Sequence, residues 1–181
     1  MRIVVLDRDG VINYESDAYV KSPDEWIPIP GSLEAIARLS RGGFAVVVAT
    51  NQAGVGRGLF DLTALSLIHK KMEASVKVAG GLLAGIFFCP HHPDENCDCR
   101  KPKPGLMQQI AARFQTDMKG IPAIGDSQRD IRAAQAVAAR PILVRTGRGE
   151  ETLQQLPSSS RIEVFANLAA AADRLLKEIR H

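Results

Sequence analysis

Two carboxylates one residue apart, Asp7 and Asp9, follow directly on four apolar, mostly β-branched residues, Ile3-Val4-Val5-Leu6. That run predicts a strand buried on both faces, and the acids emerge where it ends. Gly10 lets the chain turn away at once. Acids this close repel unless a cation or a shared proton relieves them, and Mg²⁺, a hard ion that prefers oxygen, is the expected remedy. A carboxylate so held can act as a nucleophile and form an acyl phosphate. The bland reading of Asp-x-Asp is an acidic turn that only caps the next element. A further acid, Asp126, ends another short apolar run, Pro122-Ala123-Ile124-Gly125, and offers Mg²⁺ a further oxygen. Asp130, one helical turn on, either binds metal or orients a neighbour.

Two more stretches suit an anionic ligand, and a third suits a metal ion. Thr50-Asn51-Gln52-Ala53-Gly54-Val55-Gly56-Arg57-Gly58 follows a second buried strand, Phe44 to Ala49, and can aim N–H groups and Thr50 Oγ at phosphate oxygens. It lacks the Gly-Lys-Ser/Thr ending of a P-loop, and a flexible connector is its alternative. Arg100 and Lys101 stand before Pro102 and Pro104, which hold them in extended backbone. The lysine is a point charge for a phosphoryl group, the arginine a fork for a second anion. Between Phe88 and Arg100 lie all three cysteines, Cys89, Cys97 and Cys99, with His91 and His92. Cys₃His is a standard tetrahedral zinc set; Cys89, His91, Cys97 and Cys99 are the donors chosen, with His92 competing for the place of His91. A site closed by four protein ligands is structural. Three unrelated thiols are the alternative.

The elements that must position these groups alternate strand and helix, which predicts a parallel sheet with helices on both faces. A helix is expected from Ser32, taken as its N-cap, to Gly42-Gly43. A longer one runs from Asp61 to about Ala79 with Leu65, Ile68, Met72 and Val76 on one face; His69, beside Lys70 and Lys71, is read as a surface residue. Gly85 to Phe88 is a third strand. Helices follow from about Pro104 to Gln115 and from Asp130 to Ala139, then a strand at 141–144 with the loop Arg145 to Gly149. A weak strand at 162–165 and a helix from Leu168 to Ile179 end the chain. The proline-punctuated stretch from Val11 to Pro30 is a loop or short hairpin over the end of the first strand. Trp26 in it is a packing residue before it is a stacking one.

Composition bounds the rest. A chain of 181 residues is one domain with a real core, and 45% hydrophobic with 24% charged residues is ordinary for a globular protein. No apolar run approaches the roughly 20 residues of a membrane span, and no secretory leader is visible, so a cytoplasmic location is expected. An odd number of clustered cysteines argues against disulfides. A net charge of +3 makes no case for nucleic acid but suits a small anionic substrate. The chain is expected to act as a monomer.

Taken together, Asp7-Arg8-Asp9-Gly10, Thr50-Asn51-Gln52, Lys101 and Gly125-Asp126 with Asp130 resemble, in order, the four motifs of the haloacid dehalogenase-like phosphatases, over nearly the whole chain. The resemblance implies a three-layer Rossmann-like α/β fold, here without a cap domain and with a zinc-binding loop at 89–99. It implies Asp7 as nucleophile, Asp9 as general acid and then base, Thr50 on the phosphoryl oxygens and Lys101 on the phosphoaspartate. Mg²⁺ would be held by Asp7, the main-chain carbonyl of Asp9 and the fourth motif, with Asp130 behind. The zinc loop resembles a subgroup acting on phosphorylated sugars and amino alcohols, and Gly-Val-Gly-Arg-Gly with Cys-Arg-Lys-Pro favours a sugar bisphosphate. Glu15, Ser16, Asp17, Ala18, Tyr19, Asn51, Gln52, Ala53 and Arg100 would then border the substrate, with Arg57 on a distal phosphate. Ser127 stands where such sequences often carry lysine, so one phosphate contact is expected to differ. The loop from Asp9 to Tyr19 is also slightly long. The competing readings are an amino-alcohol phosphatase acting on histidinol phosphate, a phosphorylatable receiver domain, and a zinc-stabilised binding module with idle acids.

Overall fold

The structure, a computed structural model, describes residues 1–179. Six strands form one sheet: β1 Arg2–Leu6, β2 Phe44–Asn51, β3 Gly85–Cys89, β4 Pro122–Gly125, β5 Arg140–Val144 and β6 Glu163–Phe165. Their spatial order is 3-2-1-4-5-6 and every pairing is parallel. This is the doubly wound order, in which the direction of winding reverses between β1 and β4.

Alternate strand residues feed two cores. Val4, Leu6, Val46, Val48, Ile124 and Ile142 face one side of the sheet. There they meet Ile36 and Leu39 of α1 (Ser32–Arg41), Ile68, Met72 and Val76 of α3 (Leu62–Val78), and Leu168 and Leu175 of α7 (Leu168–Glu178). Ile3, Val5, Val47 and Ala49 face the other side, against Leu106, Met107 and Ile110 of α4 (Gly105–Phe114) and Ala134 of α5 (Gln128–Gln135). Buried runs without polar alternation, such as Ile3 to Leu6, are what a strand covered on both faces requires. The three-layer α/β fold expected from the sequence is the one observed. No helix among the described residues is long and apolar enough to cross a membrane.

Five local expectations are corrected. Gly31, at φ +83°, takes the N-cap of α1; Ser32 is already in the helix and donates instead to Ile12 O at 2.7 Å, tying α1 to the turn after β1. The glycine-rich stretch after β2 contains a short helix, α2 (Ala53–Gly56), and the turn after β5 runs into α6 (Gly149–Gln155). The helix after Asp126 stops at Gln135, because Ala138 adopts a left-handed conformation ahead of β5. His69 is buried at 7% exposure rather than on the surface.

The segment from Val11 to Pro30 lies over the end of β1, pinned by bridges of Asn13 to Asp9 and to Pro28. Trp26 anchors it, at 1% exposure. Lys71 on α3 donates to Pro23 O (2.6 Å) and Trp26 O (3.2 Å) and lies 5.9 Å from the indole centroid. Trp26→Ala should destabilise the protein by about 3–5 kcal/mol in urea unfolding, since it opens a large cavity. Trp26→Phe, which also removes an indole N–H left without an acceptor, should lose less than half of that.

Candidate active site

In an open α/β sheet a ligand sits at the carboxyl ends of the strands, where the winding reverses. Here that is the gap between β1 and β4. Leu6 pairs with Ile124, and the Asp7 N–H donates to Ile124 O at 2.9 Å, so the ladder delivers Asp7 beside Gly125 and Asp126. Gly10 turns the chain there at φ +81°, and a Cβ on it would collide with the Asp126 carboxylate. Gly147 closes the other side under the same restriction, at φ +59°.

Lys101 reaches into this gap from the loop before α4. It is 3% exposed, and its Nζ lies 3.0 Å from Asp7 Oδ1, 2.6 Å from Asp130 Oδ1 and 2.8 Å from Ala49 O. All three ammonium protons therefore have acceptors. Asn51 holds the lysine's backbone: its Nδ2 donates to Lys101 O and its Oδ1 accepts from Lys101 N, both at 3.0 Å. Asn51, expected against substrate, thus has both ends of its amide engaged by the framework. Asp130 is engaged likewise, with Oδ2 accepting from Ser127 N (3.0 Å) and Ser127 Oγ (2.6 Å). Ser127 lies at the cavity wall, but its hydroxyl is turned to Asp130.

The carboxylates differ sharply in environment. Burial, then repulsion from Asp130, pushes Asp7 up to about 7 in spite of Lys101. Burial and the charges of Asp7 and Asp130 push Asp126 up to about 8, against a 2.8 Å bond from Arg148 N. Burial favours Lys101 as a neutral amine, but Asp130 and Asp7 outweigh it and keep the ammonium charged. Asp9 goes the other way. Burial acts against its charge, but Arg8 and hydrogen bonds from Asn13 and Gln52 win and hold it below the usual carboxylate range. Arg8 Nη2 and Asn13 Nδ2 each lie 2.9 Å from Asp9 Oδ1, and Gln52 Nε2 lies 2.9 Å from Asp9 Oδ2. Gln52 Nε2 also donates to Thr50 Oγ1 at 2.9 Å, so Gln52 too belongs to the framework behind the acids.

A cavity of about 170 Å³ opens over these groups. Asp7, Asp9, Thr50, Lys101, Asp126 and Asp130 share it with Glu15, Ser16, Asp17, Tyr19, Asn51, Gln52, Ala53, Arg100 and Ser127. Two expected residues do not join them. Arg57 caps α2 at the surface, because the glycine-rich stretch coils into a helical turn that carries it away. Ala18 is exposed outside the wall. Three arginines that the sequence reading passed over do line the cavity: Arg8, Arg129 and Arg148. Arg148 Nε donates to Glu15 Oε1 at 2.8 Å, joining the loop after β5 to the loop after β1. Arg129 is the second residue of α5, two residues after Ser127, a position from which its proximity could have been read.

Two groups suit metals. One carboxylate oxygen from each of Asp7, Asp126 and Asp130 lies within 4.8 Å of the others, a hard-oxygen set fit for Mg²⁺. Asp9 contributes no side-chain oxygen to it, since both of its oxygens are held by Arg8, Asn13 and Gln52. The second group is Cys89, His91, Cys97 and Cys99. His91 Nδ1 lies 3.5 Å from Cys89 Sγ and 3.2 Å from Cys99 Sγ, and Cys97 Sγ lies 3.5 and 3.6 Å from the other two sulfurs. A tetrahedron with Zn–S bonds of about 2.3 Å has edges only slightly longer, so the donors fit one zinc ion. His92 is excluded from this set: its Nδ1 accepts from Asp94 N at 3.1 Å and caps the turn that follows.

The raised values of Asp7 and Asp126 carry a stability consequence. Without a cation, each group binds its proton more tightly folded than unfolded, so its contribution is present below the ordinary value of 3.8 and is lost as pH climbs through 7 and 8. A divalent cation favours the ionised forms and reverses the loss. The Mg²⁺-induced rise in Tm should therefore be at least about twice as large near pH 8.5 as near pH 5.5, and Asp126→Asn should remove most of it. Calorimetry of the chelated and Mg²⁺-loaded protein checks this; equal rises at both pH values would contradict it.

The sequence and the fold match known proteins over their full lengths. Residues 98–171 match the HAD-hydrolase-like family model. D-glycero-β-D-manno-heptose-1,7-bisphosphate 7-phosphatase of Bordetella bronchiseptica is 53% identical over 98% of this chain and 99% of that one. The Pseudomonas aeruginosa enzyme of the same name is 51% identical over 97% and 98%. The crystal structure of the D,D-heptose 1,7-bisphosphate phosphatase from B. bronchiseptica, complexed with magnesium and phosphate, superposes with a TM-score of 0.96 over 98% of this chain and 99% of that one, at 52% identity. The corresponding Burkholderia thailandensis structure gives 0.76 at 43% identity, over 97% and 99%. With these relatives and this site, the chain belongs to the HAD-like hydrolases, within the family of the D-glycero-β-D-manno-heptose-1,7-bisphosphate 7-phosphatases.

Proposed function

We propose that this chain removes the 7-phosphate of D-glycero-β-D-manno-heptose 1,7-bisphosphate through an aspartyl-phosphate intermediate. The observation that carries the reading is the convergence of Asp7, Lys101, Asp126 and Asp130 at one rim of the sheet, with Asp9 held separately beside them. Asp7 is the nucleophile: its oxygen attacks phosphorus in line and the bond to the sugar oxygen breaks. Asp9, ionised in the resting site, takes the proton of the entering phosphate monoester and passes it to that leaving oxygen, then takes one from the water that attacks the phosphoaspartate; phosphate leaves and Asp7 is restored. Thr50 Oγ1 accepts from Gln52, which frees its hydroxyl proton for a phosphoryl oxygen. Lys101 holds Asp7 and faces the charge that the attack brings in. Asp7 and Asp126, with Asp130 behind them, would hold Mg²⁺, and the B. bronchiseptica relative is complexed with magnesium and phosphate. When bound, the ion offsets phosphate charge and favours the ionised nucleophile. Cys89, His91, Cys97 and Cys99 would hold Zn²⁺ and stiffen the loop that carries Arg100 and Lys101. The chain would act as a monomer, since Asp7, Lys101, Asp126 and Asp130 all come from one chain.

The names of the relatives support the heptose bisphosphate. The cavity wall adds to that. Arg100 has a buried Nη1 without a hydrogen-bond partner, and burial together with the neighbouring Arg129 charge lowers its pKa. Two guanidiniums that repel each other at a cavity wall call for an anion between them, and the second phosphate is such an anion. Arg129 takes here the role first expected of Arg57.

Phosphate release should be at least about a hundredfold more efficient from the heptose bisphosphate than from histidinol phosphate; the reverse order overturns the substrate assignment. Arg129→Ala should raise KM for the bisphosphate by about ten- to a hundredfold, the loss of one charge-assisted contact, and leave a sugar monophosphate nearly unaffected. Equal losses on both would sink the distal-phosphate role. Stripping zinc should lower Tm and raise substrate KM more than it weakens Mg²⁺ binding. Unchanged Tm and turnover after complete removal, checked by metal analysis, would leave the cysteines no such role.

A further inference from the structure

His69 belongs to α3, the helix that packs on α1 and under the Trp26 segment, yet it points to the active-site end of the sheet. Its ring packs edge-on against Phe88, with centroids 5.7 Å apart. Its Nε2 lies 3.4 Å from Arg8 Nη1. A guanidinium only donates, so Nε2 must accept and the ring proton must sit on Nδ1. Burial and the Arg8 charge push His69 down to about 4, which keeps the imidazole in that neutral, accepting form.

Arg8 is itself 1% exposed and wholly engaged. Nη2 and Nε donate to Asp9 Oδ1 (2.9 and 3.2 Å), Nη2 also donates to Gln52 Oε1 (3.2 Å), and Nη1 has His69. The guanidinium is planar and rigid, so fixing Nη1 against a helix fixes the rotation of the fork that meets Asp9. The bond to Gln52 Oε1 also sets the direction of that amide, turning its Nε2 to Asp9 Oδ2 and Thr50 Oγ1. Both oxygens of Asp9 and the hydroxyl of Thr50 are thus oriented from one point behind the cavity.

We propose that His69 is a positioning residue for the reaction: by accepting from Arg8 it sets Arg8 and Gln52, and through them the carboxylate of Asp9. The relay rests on the role proposed above for Asp9 as proton donor and acceptor.

The test is a double-mutant cycle with the heptose bisphosphate and saturating Mg²⁺, measured in single turnover where rates are low. His69→Leu should lower kcat about tenfold with KM held within about twofold, the signature of a misaligned proton donor. His69→Gln, whose amide oxygen still accepts from Arg8, should stay within about threefold of the wild type. In an Asp9→Asn background, His69→Leu should cause less than about a twofold further loss, since what it positions is already gone. A merely structural histidine would give the same fold-loss in both backgrounds, and that result overturns the relay. So does a glutamine variant as impaired as the leucine one, or a leucine variant with wild-type kcat. Wild-type kcat in Asp9→Asn alone would instead refute the reading of Asp9. His69→Met, which fills the space with only a weak acceptor, replaces the leucine variant if that one does not fold.

Discussion

One buried ammonium sits between two carboxylates, and the rest of the site is arranged around it. Lys101 lies within 3.0 Å of Asp7 and 2.6 Å of Asp130, at 3% exposure. Taking several charges out of water is costly unless they are paired and fully hydrogen-bonded. Here they are: Lys101 has three acceptors, and Asp130 has Lys101 and both donors of Ser127. Asp7 and Asp126 stay under-compensated, which is why burial and mutual repulsion raise them to about 7 and 8. The deficit is local and faces the cavity, where a divalent cation and a phosphate would meet it.

The framework separates the two acids of Asp-x-Asp by environment. Asp7 is left short of donors, facing Lys101 and two other carboxylates, while Asp9 takes donors from Arg8, Asn13 and Gln52. Neighbours one residue apart on the chain thus suit different steps. The sheet provides the separation: Asp7 continues the ladder between β1 and β4, and Asp9 lies past the last pairing, in the turn opened by Gly10. Asn51 and Gln52, successive residues at the end of β2, divide the support, one holding the backbone of Lys101 and the other Asp9.

What was legible in the sequence follows the range of the interactions concerned. Ile3 to Leu6 and Pro122 to Gly125 read as strands because burial on both faces leaves an unbroken apolar run, and the acids at their ends followed. Cys89, His91, Cys97 and Cys99 stood out because all four lie within eleven residues. Arg129, Arg148 and the departure of Arg57 were not legible, since each depends on where a loop or helix start points in three dimensions. The helix α6 hid behind Gly147-Arg148-Gly149, which looks like pure loop. Asn51 and Gln52 line the cavity as expected, but that their amides also hold Lys101 and Asp9 was not legible, because nothing local tells an amide facing ligand from one facing framework. His69 was a different failure: it stands four residues after Leu65 and three before Met72, inside the apolar stripe, and its helical position outweighed the two lysines beside it.

The central claim is that the Asp7 carboxylate itself takes the phosphoryl group before water does. Following the configuration at phosphorus with a substrate made chiral by oxygen isotopes tests it most directly. Two in-line displacements, the first by Asp7, require retention of configuration in the released phosphate. Inversion would mean that water attacks the substrate in a single step, and the role assigned to Asp7 would be wrong.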